Sequence, residues 1–253
     1  MTLREVKGYL FVRNGRRVAW ILAGCGVLLG VCMRLRVYSR FSYFPRDSIL
    51  YLGQAKELLL DPASINRFSR PPLFQWLWSR LLLMGIPELR AGAFLVLGAG
   101  ALLLFLIYPL CRELKLGRAA SLLTLWLAAV NPWLVKCSVS PLREALYLFS
   151  AVAALYMLLL SCRSRMFYWT QCLGAFFFIM CVLSRIEGIQ VLLLWIWSLW
   201  KHEQKSQSSA FVRIMDVAVF PIAAMLTLLA MCQMMHYDLL RIFSVGFHWV
   251  FRR

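Results

Sequence analysis

Long apolar stretches separated by short polar joints run along this 253-residue chain from residue 18 to residue 236. Seven reach or approach the roughly 20 residues a helix needs to cross a hydrocarbon core: 18–33, 91–110, 119–135, 145–161, 167–183, 189–200 and 214–236. The sixth is the shortest and qualifies if Arg185 and Glu187 sit at its outer end. One interruption, 34–90, is far longer than the others and has its own pattern. Pro45-Arg46-Asp47-Ser48 reads as a helix start, with a proline entering and an acid in the first turn. Asp47, Tyr51 and Gln54 then fall on one face at helical spacing, and Asp61-Pro62 ends the run. A second helix is expected over 71–84, stopped by Gly85 and Pro87. Gln75 and Ser79 share a face there with Arg80 nearby, while Phe74, Trp76, Leu77 and Trp78 supply aromatic and apolar surface. Short and tryptophan-rich, it reads as a helix lying in the membrane interface. The expected fold is all-α: a transmembrane bundle of about seven spans in a single domain over 1–253. Two interfacial helices occupy its first extracytoplasmic loop, 34–90.

Composition supports the membrane reading and narrows the partners. Hydrophobic residues make up 62% of the chain, well above the soluble range. A basic N-terminus (Arg4, Lys7, Arg13, Arg16, Arg17) leads into the first span without a small-residue cleavage site, so an anchor is expected rather than a cleaved signal. Lys and Arg total 28 against 11 Asp and Glu, and the net charge of +17 is assigned to anionic headgroups and topology rather than to nucleic acid. With the N-terminus in the cytoplasm, Arg112, Lys115 and Arg118, then Arg163 and Arg165, then Lys201, Lys205 and Arg213 fall on the cytoplasmic side. The loop 34–90, with Arg34 and Arg36 beside the first span, runs against that rule. The eight cysteines have no paired spacing and read as small core residues. His236, Asp238 and His248 lack metal-ligand company, and no metal or cofactor is expected.

In a chain this poor in acids, carboxylates beside arginines at span ends are the candidate chemistry. Asp47 is either a helix-start residue paired with Arg46, or a general base at the mouth of a membrane cavity. Arg70, presented by Pro71-Pro72, either meets lipid headgroups or holds phosphate oxygens through its planar fork. Glu144, at the outer end of the fourth span, either pairs with Arg143 or opens on the same side as Asp47. Arg185 and Glu187 emerge there too, as a helix-end ion pair or as cavity residues.

The order of these motifs resembles the GT-C superfamily of membrane glycosyltransferases. The match is to its dolichyl-phosphate-mannose protein mannosyltransferase and aminoarabinose transferase branch. It runs from the first-loop acid with Tyr51, through Arg70-Pro71-Pro72-Leu73-Phe74-Gln75-Trp76-Leu77, Gly85 and Arg90, to Asn131-Pro132 and Glu144, over roughly 18–200. The resemblance implies Asp47 and Glu144 as catalytic carboxylates. It implies Arg70 as the site of the donor phosphate; Arg46 is expected beside it, and Tyr51, Gln54, Arg143, Arg185 and Glu187 are expected to line the cavity. It implies a polyprenyl-phosphate-linked sugar as donor, a hydroxyl acceptor, inversion at the anomeric carbon, and a site on the extracytoplasmic face of a plasma or inner membrane. Ser48 stands where many relatives carry a second acid, and Arg70 where they carry lysine. Many relatives are about twice as long, so the chain corresponds to their shared core. The alternatives are a non-catalytic subunit of this fold that binds a lipid carrier or partner helices, and a transporter of lipid-linked sugar. A transporter is expected to show repeated halves, and the chain shows none.

Overall fold

The structure is a computed structural model and describes residues 3–40, 45–161, 167–193, 196 and 210–238. Nine α-helices are found among them: α1 Leu3–Ser39, α2 Arg46–Leu60, α3 Leu73–Leu83, α4 Glu88–Glu113, α5 Arg118–Val130, α6 Pro132–Val139, α7 Glu144–Ser161, α8 Phe167–Ser184 and α9 Ala210–Met235. Two 3-10 turns, Pro62–Arg67 and Ile186–Gln190, complete the path, and the described residues contain no strand.

Among the described residues, four helical stretches are long and apolar enough to cross a membrane: Gly15–Ser39, Glu88–Glu113, Glu144–Ser161 and Ala218–Met235. The bent pair α5–α6 makes five if taken as one span. Three of the seven expected spans are not among these four. The third expected span is broken by 54° at Asn131-Pro132. Proline has no N–H to continue the ladder, and the Asn131 side chain caps the new helix by accepting from the Trp133 and Leu134 amides at 2.9 and 3.0 Å. The fifth, α8, lies where expected and is apolar over Tyr168–Ser184. The sixth begins as the 3-10 turn Ile186–Gln190, and most of the rest of 189–200 lies outside the described residues. So do Arg163, Arg165, Lys201, Lys205 and His248.

Helix α4 is the common wall, packing against α1, α3, α5, α6 and α7. Ala23, Val27, Leu104, Leu125 and Ala129 join α1, α4 and α5 in a smaller core. A larger core gathers α2, α3, α4, α7, α8 and α9. Both helices expected in the loop 34–90 are present, but α3 does not expose its aromatic residues as anticipated. Phe74 and Trp78 are fully buried. Trp78 finds a slot because Gly92 has no side chain, and its indole N–H donates to the Glu88 carbonyl at 3.0 Å. Lys56 and Glu88 add an ion pair of 2.6 Å between α2 and the start of α4.

Arg34 corrects the charge reading of the same loop. It lies within α1, 1% exposed, and donates from Nη1 to the Gly30 carbonyl at 2.9 Å and the Ala129 carbonyl at 3.1 Å. Ala129 belongs to the last turn of α5, where unpaired carbonyls and the negative end of the helix dipole welcome a cation. Arg34 therefore ties the first span to the helix break. Cys111, Cys137, Cys181 and Cys232 are buried, as expected of small core residues, whereas Cys25, Cys32 and Cys172 lie on exposed helix faces.

A Cβ on Gly92 would collide with the rigid, fully buried Trp78 ring. Gly92→Ala is expected to destabilise the protein by about 1–3 kcal/mol. A thermal melt in detergent should show this as a lowered midpoint, and an unchanged midpoint would mean that α3 is not locked to α4 through this contact.

Candidate active site

The face of α2 anticipated from helical spacing is the face that meets the start of α3. The Tyr51 hydroxyl accepts from Arg70 Nη1 at 2.7 Å, and the same nitrogen lies 3.3 Å from Asp47 Oδ2. Tyr51 is 1% exposed and packs edge-on against Phe74 with ring centres 5.7 Å apart, so its hydroxyl is a rigid post for the guanidinium. One turn further along, the Gln54 and Gln75 amides meet at 3.0 Å. With the Gln75 amide turned over, its oxygen accepts from the Gln54 amide and its NH2 donates to the Pro71 and Pro72 carbonyls at 3.2 and 3.3 Å, so this buried side chain braces the double proline. Burial by itself lowers the Arg70 pKa, but the Tyr51 hydroxyl and the Asp47 carboxylate outweigh it and leave it raised.

A second charged group forms where α7 begins and α8 ends. Arg185 donates from Nη1 to Glu144 Oε1 at 2.9 Å, and its other edge grips Glu187 at 3.1 and 3.4 Å. The forked hydrogen bonds to Glu187 come first in raising the Arg185 pKa, and the same contact holds the Glu187 carboxyl below its ordinary value of 4.5. The expected pairing of Glu144 with Arg143 is not the one formed. Glu144 turns to Arg185, and Arg143 makes no ion pair among the described residues. Its Nε and the Glu144 Oε2 are both buried without a hydrogen-bond partner there.

Arg143 links the two groups electrostatically. Burial is the main reason its pKa is lowered. The neighbours that act on it are Tyr51 and Arg70 of the first group and Arg185 and Glu144 of the second. It remains a cation at neutral pH, because a guanidinium does not lose its proton in proteins. Six of the nine anticipated residues (Asp47, Tyr51, Arg70, Arg143, Glu144 and Arg185) thus share one charged region, with Glu187 at its edge. Gln54 braces the α2–α3 pair, and Arg46 is exposed on α2, with no ion pair among the described residues.

Two positioning residues were not anticipated. Gln75 was noted only for its face, not as the partner of Gln54. Asn66 ties the 3-10 turn to the end of α9, donating to the His236 carbonyl at 3.0 Å and accepting from the Asp238 amide at 2.8 Å. An asparagine in a loop carries no sequence signal for a partner 170 residues away.

No protein-family profile and no curated protein matches the chain. Among solved structures it is similar to the S. cerevisiae protein O-mannosyltransferase complex bound to its sugar donor, with a TM-score of 0.68 and 18% identity. The match covers 91% of this chain and 34% of that one. The likeness is one of fold, and this chain spans about a third of the length of the longer one.

The paired arrangement predicts a pH response. A carboxyl whose folded pKa is depressed contributes stability above its unfolded pKa and loses it as pH falls through the folded value. For Glu187 that loss begins as pH drops past about 4.5 and continues below it. Thermal melts between pH 3 and 7 should therefore be flat near neutrality and fall in acid, with a smaller fall in Glu187→Gln. Arg185→Gln, which strands Glu144 and Glu187, is expected to cost about 1–3 kcal/mol at pH 7. An Arg185→Gln melt that matches the wild type would show that the fork holds nothing in place.

Proposed function

We propose that this chain is a glycosyltransferase that moves a sugar from a polyprenyl-phosphate donor to an acceptor hydroxyl, with inversion, on the extracytoplasmic face of a plasma or inner membrane. The observation that carries this is the uneven sharing of charge at the site. Asp47 answers Arg70, two acids answer Arg185, and Arg143, half-buried, makes no ion pair among the described residues. A half-buried guanidinium without an ion pair, beside a second one, is suited to an anion such as a lipid phosphate. A fold shared with a donor-bound O-mannosyltransferase supports a sugar as the other half of that ligand.

In this scheme Asp47, half exposed, takes the proton of the acceptor hydroxyl as its oxygen attacks the anomeric carbon. The bond from that carbon to the phosphate oxygen breaks, and the electron pair leaves on the phosphate. The new negative charge lies against Arg70 and Arg143, already held before the reaction begins. A single displacement from the face opposite the phosphate inverts the carbon. Tyr51 keeps Arg70 in register, and Arg185 keeps the Glu144 carboxylate at the start of α7.

The test is turnover by the purified chain with labelled polyprenyl-phosphate sugars and a panel of glycan, lipid and peptide acceptors. Asp47→Asn is expected to reduce turnover by about 10²–10⁴-fold while leaving donor binding intact. Arg143→Gln is expected to weaken donor binding by about tenfold or more, the loss of a charged hydrogen bond to phosphate. Full turnover in Asp47→Asn would remove the assigned base. Donor binding lost in Arg143→Gln, in a chain that never turns over, would instead favour a lipid-carrier-binding subunit.

A further inference from the structure

Away from the charged site, a cavity of about 90 Å³ opens where α2, α3 and the end of α9 meet. Its walls are Leu58, Leu59, Pro62, Leu83 and Met235, and its polar groups come from three neighbours on α3, Trp76, Ser79 and Arg80. The Ser79 hydroxyl is already committed to the Trp76 carbonyl at 2.7 Å. The Trp76 indole N–H is not: it is buried and has no partner among the described residues. The Arg80 guanidinium lies 5.1 Å from the centre of the Trp76 ring and makes no ion pair there either. The nearby acids Glu57 and Asp61 lie at 3.9 and 3.6 Å from Arg67 instead.

The depth of the cavity follows from the spans around it. Met235 is the last residue of the span Ala218–Met235, and Leu83 lies five residues before Glu88, where the span Glu88–Glu113 begins. The end of the one span and the start of the other thus meet beside the cavity, and span ends are where a bilayer keeps its headgroups. The surface around it is strongly apolar, with Leu60 89%, Leu83 61% and Met84 75% exposed. A cation and a free N–H above an apolar wall, at headgroup depth, match one chemistry: a phosphate with a hydrocarbon chain beneath it.

We infer that this cavity seats the headgroup of an anionic phospholipid of the surrounding bilayer. Its phosphate accepts from Arg80 and the Trp76 indole N–H, and its acyl chain starts along Leu59 and Leu83. The lipid would pin the far end of the α2–α3 pair, whose near end carries Asp47, Tyr51 and Arg70. A bilayer phospholipid is favoured over the polyprenyl carrier because the cavity lies at the opposite end of α3 from Arg70, with Arg80 ten residues along the chain.

The experiment is native mass spectrometry of the full chain in detergent, titrated separately with phosphatidylglycerol, phosphatidylcholine and polyprenyl phosphate. The wild type is expected to retain one phosphatidylglycerol in preference to phosphatidylcholine. Arg80→Gln is expected to weaken that binding about tenfold and leave polyprenyl phosphate binding unchanged. Trp76→Phe keeps the ring and removes only the N–H, so a smaller loss is expected. Equal phosphatidylglycerol binding in wild type and Arg80→Gln overturns the inference, and so does a loss confined to polyprenyl phosphate. If Arg80→Gln does not fold, Trp76→Phe decides, and unchanged affinity in that variant overturns it. The readout needs no turnover, so it fails or succeeds independently of the transferase assignment.

Discussion

A guanidinium drawn out of water must find acceptors, and at Arg70 and Arg185 the chain supplies them from elements distant in sequence. Tyr51 and Asp47 reach Arg70 across 19 and 23 residues, and Glu144 reaches Arg185 across 41. A buried cation left alone costs several kcal/mol, so these contacts are conditions on how the helices may sit rather than additions to a finished bundle. They join the start of α2 to the start of α3, and the end of α8 to the start of α7. Arg143, subject to both groups and neutralised by neither, is where the balance remains open.

The helix break sets the stage for that balance. Asn131-Pro132 turns α6 away from α5, and Arg34 covers the carbonyls exposed at the end of α5. Small residues then allow close approach: on α4, Gly100 lies so near Ser138 of α6 that any side chain there would collide with it. Helix packing in membranes relies on such small residues, because lipid gives apolar side chains no reason to prefer protein. From α6 only four residues, Ser140 to Arg143, lead into α7, so the position of the break constrains where Arg143 and Glu144 emerge.

Much of the local structure was legible. Both helices of the 34–90 loop, the stop at Asp61-Pro62 and the shared face of Asp47, Tyr51 and Gln54 follow from spacing and turn chemistry alone. Partners were not legible. Glu144 beside Arg143 suggests a neighbour pair, yet side chains adjacent in sequence at a helix start point apart, and Glu144 found Arg185 instead. Trp78 in a tryptophan-rich segment suggests surface, but the slot that buries it is made by Gly92 on another helix. Arg34 did carry a usable signal, since a lone arginine within the apolar rise of a first span needs an internal partner.

The sequence by itself determined that this is a helical chain with long apolar segments, a basic surface and a short roster of acids near arginines. Those properties are local, set by composition and by the 3.6-residue period. Only the tertiary structure decided that the third apolar stretch bends, that Phe74 and Trp78 of α3 are buried, and which acid answers which arginine. The reason is that ion pairing and burial depend on distances between elements. Three arginines competing for three carboxylates are assigned by packing, and packing is what left Arg143 free.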